Sequence, residues 1–227
     1  MSYYIYKYSK TGYQKRLWSI IAKTVDGMSL CSNYKGDTFY FIQRLNNVNK
    51  QMNLVKYSLV PVRGSPPSPA TLANINGTIY TLASADTAHI DFDGKYIWMA
   101  WDLTGLGYYE EHSLNQLDMK GNLIKKRDFG VFSTLKYGMC IDGKQLYILT
   151  KVGVVKQYDI INNKIIRSIT LTNASNGLGF DGKYFWSMDS SKNVYCYNRD
   201  GKIMKSFPIG IQGKDIKCYG EDLWICA

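Results

Sequence analysis

Residues 101–112 read W-D-L-T-G-L-G-Y-Y-E-E-H, which gathers an indole, two phenols, three carboxylates and one of the chain's two histidines into one stretch. Trp101, Tyr108 and Tyr109 offer ring faces that can cover the apolar side of a pyranose, while Asp102, Glu110 and Glu111 can accept its hydroxyl hydrogen bonds. The same rings suit a protein partner, because Trp and Tyr are enriched where interfaces are most energetic. A loop folded back to cap a sheet edge would use these residues without any ligand. Glycoside hydrolysis needs two carboxylates held at a set separation across the scissile bond. Asp102 with Glu110 or Glu111 could supply the pair, but sequence does not fix that separation. His112 could join His89 and Asp91 around a metal, yet the histidines stand 23 residues apart, a weak metal pattern. His89 alternates with Asp91 along one side of an expected inner strand, which fits polar lining of a central channel. No catalytic residue and no metal ligand is assigned.

A second stretch stands out by composition. Residues 61–69 hold four of the five prolines. Arg63, Pro66, Pro67 and Pro69 make an extended, stiff segment of the kind that serves as a docking handle for a partner, or simply as a spacer. No nucleophile elbow, phosphate-cradling glycine loop or Cys–His metal spacing occurs, so no cofactor is expected.

The elements that must position these stretches come from a repeat. Five times a glycine turn is followed, three residues on, by an apolar residue and then a large aromatic, at Gly36, Gly94, Gly143, Gly182 and Gly220. The aromatics are Tyr40, Trp98, Tyr147, Trp186 and Trp224, and Asp93, Asp142 and Asp181 precede three of the glycines. The glycines are 58, 49, 39 and 38 residues apart, and the step past the C-terminus back to Gly36 is 43. A second set of polar turns, such as those at Gly12, Gly121 and Gly201, follows at a fixed place in each unit; Gly, Asn and Asp tolerate the positive φ of hairpin turns. Two hairpins per repeat make four antiparallel strands, the unit of a propeller blade. The last repeat holds one hairpin, 214–226, and the N-terminus holds its complement, 3–20. The fold expected is therefore all-β, a single domain over 1–227: a five-bladed β-propeller with four antiparallel strands per blade. The N-terminal hairpin completes the C-terminal blade and closes the ring. The repeated aromatics are read as blade packing. Function is placed where the repeat is interrupted: first at 101–112, on the face that carries the connections between second and third strands and between blades, and then at 61–69, between the third and fourth strands of the first blade on the opposite face.

The stretches 179–186, G-F-D-G-K-Y-F-W, and 194–202, V-Y-C-Y-N-R-D-G-K, resemble repeats of NHL-type and quinoprotein-like propellers. Blade number and repeat also look like the plant-type glutaminyl cyclotransferases. The resemblance spans most of the chain and rests on turn glycines, strand aromatics and paired hairpins, so it implies fold and not chemistry.

Composition bounds the remainder. With 45% hydrophobic and 20% charged residues the chain is a packed globular protein. A net charge of +10 favours an anionic partner or solubility, but the densest basic run is only Lys125-Lys126-Arg127, inside an expected strand, so nucleic acid is not the expected partner. Five cysteines without close pairing are expected to be reduced and structural. No run is long and apolar enough to span a membrane, and residues 1–10 lack the pattern of a signal peptide, which favours a cytoplasmic or virion-associated protein. The function expected is a non-catalytic binding module with a protein or glycan partner. Two alternatives stand beside it: a structural or host-recognition component of a virion or surface appendage, and a hydrolase or cyclotransferase on the same scaffold.

Overall fold

The protein, described by a computed structural model, is resolved into residues 2–21, 26–32, 38–44, 51–58, 70–72, 77–82, 85, 87–103, 111–128, 137–150 and 153–227. Alternating strand and turn sequences produce only β-structure among them. In chain order the strands are β1 (Ser2–Ser9), β2 (Gln14–Ile21), β3 (Asp26–Ser32), β4 (Thr38–Arg44), β5 (Met52–Ser58), β6 (Ala70–Leu72) and β7 (Thr78–Leu82). Next come β8 (Thr87–Phe92), β9 (Ile97–Leu103), β10 (Glu111–Leu117), β11 (Leu123–Asp128), β12 (Gly138–Asp142), β13 (Gln145–Leu149), β14 (Val154–Asp159) and β15 (Lys164–Thr170). The last are β16 (Asn176–Phe180), β17 (Phe185–Met188), β18 (Asn193–Tyr197), β19 (Ile203–Pro208), β20 (Asp215–Tyr219) and β21 (Asp222–Cys226).

They form five sheets, one per blade: β3-β4-β5-β7, β8 to β11, β12 to β15, β16 to β19, and a closing blade ordered β20-β21-β1-β2-β6. The innermost strands β3, β8, β12, β16 and β20 neighbour one another in a closed circle. The ring closes as the two terminal hairpins imply, with Ile5 opposite Cys226 and Tyr8 opposite Leu223. The repeated aromatics occupy one register position, facing Cys31, Asp91, Cys140, Gly179 and Lys217 of the inner strands. All are buried: Tyr40, Trp98, Tyr147, Trp186 and Trp224 fill the spaces between blades. The five cysteines are free thiols.

The closing blade differs from expectation by one strand. β6 comes from the segment between β5 and β7 and lies parallel to β2, with Trp18 opposite Ala70 and Ile20 opposite Leu72. Three residues are too few for a two-residue period to be read in sequence. A further regularity was equally invisible there. Every outermost strand of a complete hairpin carries a one-residue bulge at the same place, at Lys15, Ile79, Ile124, Ile166 and Met204.

A ring of blades leaves the inner edge of every sheet without a partner strand, so its peptide groups must be satisfied otherwise. Side chains do this. Asp215 accepts from Ser29 Oγ at 2.5 Å, Leu30 N at 3.3 Å and its neighbour Ile216 N at 2.9 Å. Ser29 Oγ accepts from Ile90 N at 3.0 Å, and Asp91 accepts from Phe92 N and Ile141 N, each at 2.9 Å. Tyr219 donates to Asp91 at 3.1 Å and accepts from Ser32 N at 3.1 Å. Lys217 Nζ donates to the carbonyls of Met139 at 2.6 Å and Leu178 at 3.2 Å and to Asp215 at 3.2 Å. This circuit touches all five inner strands and fills the axis. Lys217 is 1% exposed and Asp215 fully buried. Burial alone would favour a neutral amine, but Asp215 and Asp91 outweigh it and hold the ammonium's pKa above its ordinary value.

Removing that ammonium leaves two buried carboxylates without their countercharge. Lys217→Met should lower the unfolding free energy by about 3–5 kcal/mol, read as a fall in the urea midpoint. Lys217→Met combined with Asp215→Asn should recover part of the loss, because one stranded charge is removed with the lysine.

Candidate functional site

The aspartates before the turn glycines build one face of the disc. Asp181 accepts from Lys183 N at 3.0 Å and Tyr184 N at 2.7 Å through one oxygen, and from the indole N–H of Trp186 at 2.9 Å through the other. Asp93 repeats this with Lys95 N, Tyr96 N and Trp98. The Asp-Gly-Lys-Tyr-x-Trp spacing therefore ties the turn to the aromatic that packs the blade. Lys10, from the turn between β1 and β2, adds an ion pair to Asp181 at 2.9 Å. The Asp181 carboxyl is held below the ordinary carboxylate range. Burial opposes this, but the Tyr184 N–H, the Trp186 indole and Lys10 prevail.

Where the inner strands end at these turns, the axis opens into a pit of about 420 Å³. Its lining includes Asp91, Phe92, Ile141, Asp142, Phe180, Asp181, Cys218, Tyr219, Glu221 and Lys10. The floor is the filled axis, marked by Asp91 and Tyr219, whose polar atoms already serve the strand edges. Burial pushes the Asp91 carboxyl up, and the Lys217 charge and three hydrogen bonds pull the other way without cancelling it. Burial, with the Asp91 charge, pushes the Tyr219 phenol well up, so it stays protonated. At the mouth Glu221 is exposed, and Asp142 stands 3.6 Å from Arg199, which also lies 4.8 Å over the Phe180 ring. Four carboxylates thus face one lysine, itself paired, in a protein of net charge +10. With Lys10 at Asp181 and Arg199 at Asp142 the lining is mixed in sign, and its net negative charge rests on Asp91 and Glu221. Such charge in a cleft focuses a field on whatever enters.

This pit lies on the face of the short turns, whereas the sequence directs attention to the other face. There, Trp101 sits on β9 at 6% exposure, with the Lys126 ammonium 5.3 Å from its ring. Its burial turns the indole into the blade. Asp102 and His112 are paired strand residues of β9 and β10, and Glu111 pairs with Leu103, so the connection is shorter than residues 101–112 imply. Tyr108, Tyr109 and Glu110 lie outside the described residues, as do Arg63, Pro66, Pro67 and Pro69. His89 is 4% exposed on β8, and no group of three or more His, Cys, Asp or Glu among the described residues is arranged to hold a metal ion. Sequence reasoning missed the pit because its residues, among them Asp142, Asp181 and Gly220, belong to the repeat itself.

A depressed carboxyl pKa stabilises the fold above the unfolded-state value of about 3.9, and that stabilisation disappears as pH falls through the lower folded-state value. The native protein should exceed Asp181→Asn in stability by about 1–2 kcal/mol at neutral pH. The two urea midpoints should converge as the pH is lowered from about 5 toward 2.

The sequence matches no protein-family model and no curated protein. In fold the chain is similar to the glutaminyl cyclase of Myxococcus xanthus, with a TM-score of 0.57 and 9% identity over 91% of each chain. It is also similar to AztD of Citrobacter koseri, with a TM-score of 0.43 and 14% identity over 89% of this chain and 51% of that one. At 9% identity the first likeness shows a shared propeller fold.

Proposed function

We propose that the chain is a non-catalytic binding module whose ligand seat is the axial pit, and that the ligand is a compact organic cation. A lysine or arginine side chain presented by a partner protein fits this description. The observation that carries the reading is the pit's composition: carboxylates of Asp142, Asp181 and Glu221, the rings of Phe92 and Tyr219, and two cations, Lys10 and Arg199, each already paired with one of those carboxylates. Its volume, about 420 Å³, falls within the range of small-molecule pockets. Carboxylates with aromatic faces recognise ammonium and guanidinium groups by charge and by cation–π attraction. The connection holding Trp101, Asp102, Tyr108, Tyr109, Glu110, Glu111 and His112, on the opposite face, is retained in this proposal as a further contact for a protein or glycan partner. The segment holding Arg63, Pro66, Pro67 and Pro69 is retained as its docking handle.

A hydrolase or cyclotransferase is the second reading. It is favoured by Asp91, a carboxyl in a cleft whose proton affinity is raised by burial, the condition under which a carboxyl can hold and deliver a proton.

Calorimetric titration with arginine methyl ester and its uncharged analogue citrulline methyl ester tests the first reading. Saturable binding of the cation alone, weakened roughly tenfold or more in Glu221→Gln with Asp142→Asn, is the expected outcome; equal binding of both esters would sink it. For the second reading, cyclisation of a glutaminyl peptide should be measurable in the native protein and lost in Asp91→Asn that retains its circular dichroism spectrum. Absence of cyclisation in the native protein removes the cyclotransferase, and absence of hydrolysis across a panel of glycoside and ester substrates removes the hydrolase.

A further inference from the structure

The outer margin of the disc carries an apolar and basic arc. On three consecutive blades the outermost strand carries two exposed apolar residues in its first three positions, Leu123 and Ile124 on β11, Ile165 and Ile166 on β15, and Ile203 and Met204 on β19. The second of each pair is the bulged residue, and these are 53%, 45% and 52% exposed. The same position in the closing blade is Lys15, ion-paired with Asp222 at 2.5 Å, and in the first blade it is Ile79, packed against the core. A bulge that only protects a sheet edge from pairing is well served by a charge, as at Lys15. Three neighbouring bulges carrying exposed aliphatics expose what such protection hides.

These strands are also strongly basic. β11, β15 and β19 hold Lys125, Lys126, Arg127, Lys164, Arg167 and Lys205 against one carboxylate, Asp128. Their outer edges bond no further strand among the described residues, whereas the equivalent edge of β2 already accepts β6. The fold thus adds a short strand to the outer edge of its own closing blade, at Trp18 to Ile20, beyond the bulge at Lys15.

We propose that the outer edge of β15 is a docking surface for an extended segment of a partner protein in which aliphatic and acidic residues alternate. β15 is the central strand of the arc and has a third exposed isoleucine beside it, Ile161 at 54% exposure in the turn before it. Its free edge supplies main-chain hydrogen bonds, Ile165 and Ile166 supply apolar contact, and Lys164 supplies charge, which is recognition by strand addition. Arg167 on the same strand is bonded to Gln157 and the Arg199 carbonyl and lies 3.7 Å from Asp200. A second copy of this chain would bring like-charged edges together. A bilayer surface offers no regular partner for strand-edge peptide groups, and the three aliphatic pairs lie around a curved rim. This interface is separate from the axial pit and does not depend on it.

Fluorescence anisotropy with a capped, labelled octapeptide alternating Glu and Val, and with its Lys–Val counterpart, tests the proposal. Saturable binding of the acidic peptide is expected, weakened roughly tenfold or more by Ile166→Asp and unchanged by Tyr13→Ser, which alters an exposed side chain of the closing blade. Raising salt from about 0.05 to 0.5 M should also weaken it. If Ile166→Asp fails to fold, the paired change Ile165→Ser with Ile166→Ser serves instead. Equal binding of the basic peptide, no binding of the acidic one, or binding insensitive to the variants overturns the proposal. So does co-sedimentation with phosphatidylserine vesicles in place of peptide binding, or a dimer of the native chain that Ile166→Asp dissolves.

Discussion

Five sheets arranged around an axis share one unavoidable problem, the unpaired peptide groups of their innermost strands. Here a single buried ammonium and two carboxylates meet much of it. Lys217 reaches carbonyls on β12 and β16, Asp215 reaches β3, and Asp91 reaches β12, so blades that share no backbone ladder are joined by side chains. Close approach of the inner strands is part of the same solution. A side chain in place of Gly177 would meet the backbone of Asp215 and Ile216, with Ile216 N only 2.5 Å from its Cβ. The circuit leaves the axis filled, and the pit above Asp91 and Tyr219 opens at its end.

The acidic residues of the inner strands and their turns thus fall into three groups with different duties. Asp91 and Asp215 serve the strand edges, and Asp93 and Asp181 serve the turns and the indoles of Trp98 and Trp186. Asp142 and Glu221 have no such duty of comparable closeness, and they stand at the mouth where a ligand would arrive. The same economy shapes the rim. Outer strands β7 and β15 pack on the second-hairpin turns of the next blades, so that a Cβ at Gly121 would lie 2.2 Å from the Ile79 carbonyl oxygen and one at Gly201 2.1 Å from that of Thr170.

Much of the architecture was legible because a repeat reports on geometry that recurs. Gly94, Trp98 and their equivalents disclosed blade number, and the unmatched hairpins at 3–20 and 214–226 disclosed ring closure. What the chain concealed is what occurs once or depends on assembled strands. β6 is too short to show a period, and the bulges at Ile124, Ile166 and Met204 leave no mark beyond two adjacent aliphatics that simple alternation would place on opposite faces. The pit was hidden for a different reason: Asp142 and Asp181 looked like turn residues, and Asp181 is one. Trp101 shows the converse: an indole next to carboxylates reads as a platform, and in the fold it is 6% exposed.

The closing blade also imposes an order on folding. β1 and β2 are synthesised first, and β6, which covers the outer edge of β2, follows within the next blade. The other edge, β1, must wait for β21 at the far end of the chain, because Ile5 pairs with Cys226. During translation the nascent protein therefore carries one capped edge and one open one. The open edge is lined by Tyr4, Tyr6 and Tyr8, which stack along one side of the strand. Premature pairing of that edge between two unfinished chains would be a domain-swapped dimer, and the slow, sequence-distant closure of the ring makes the interval in which it can happen a long one.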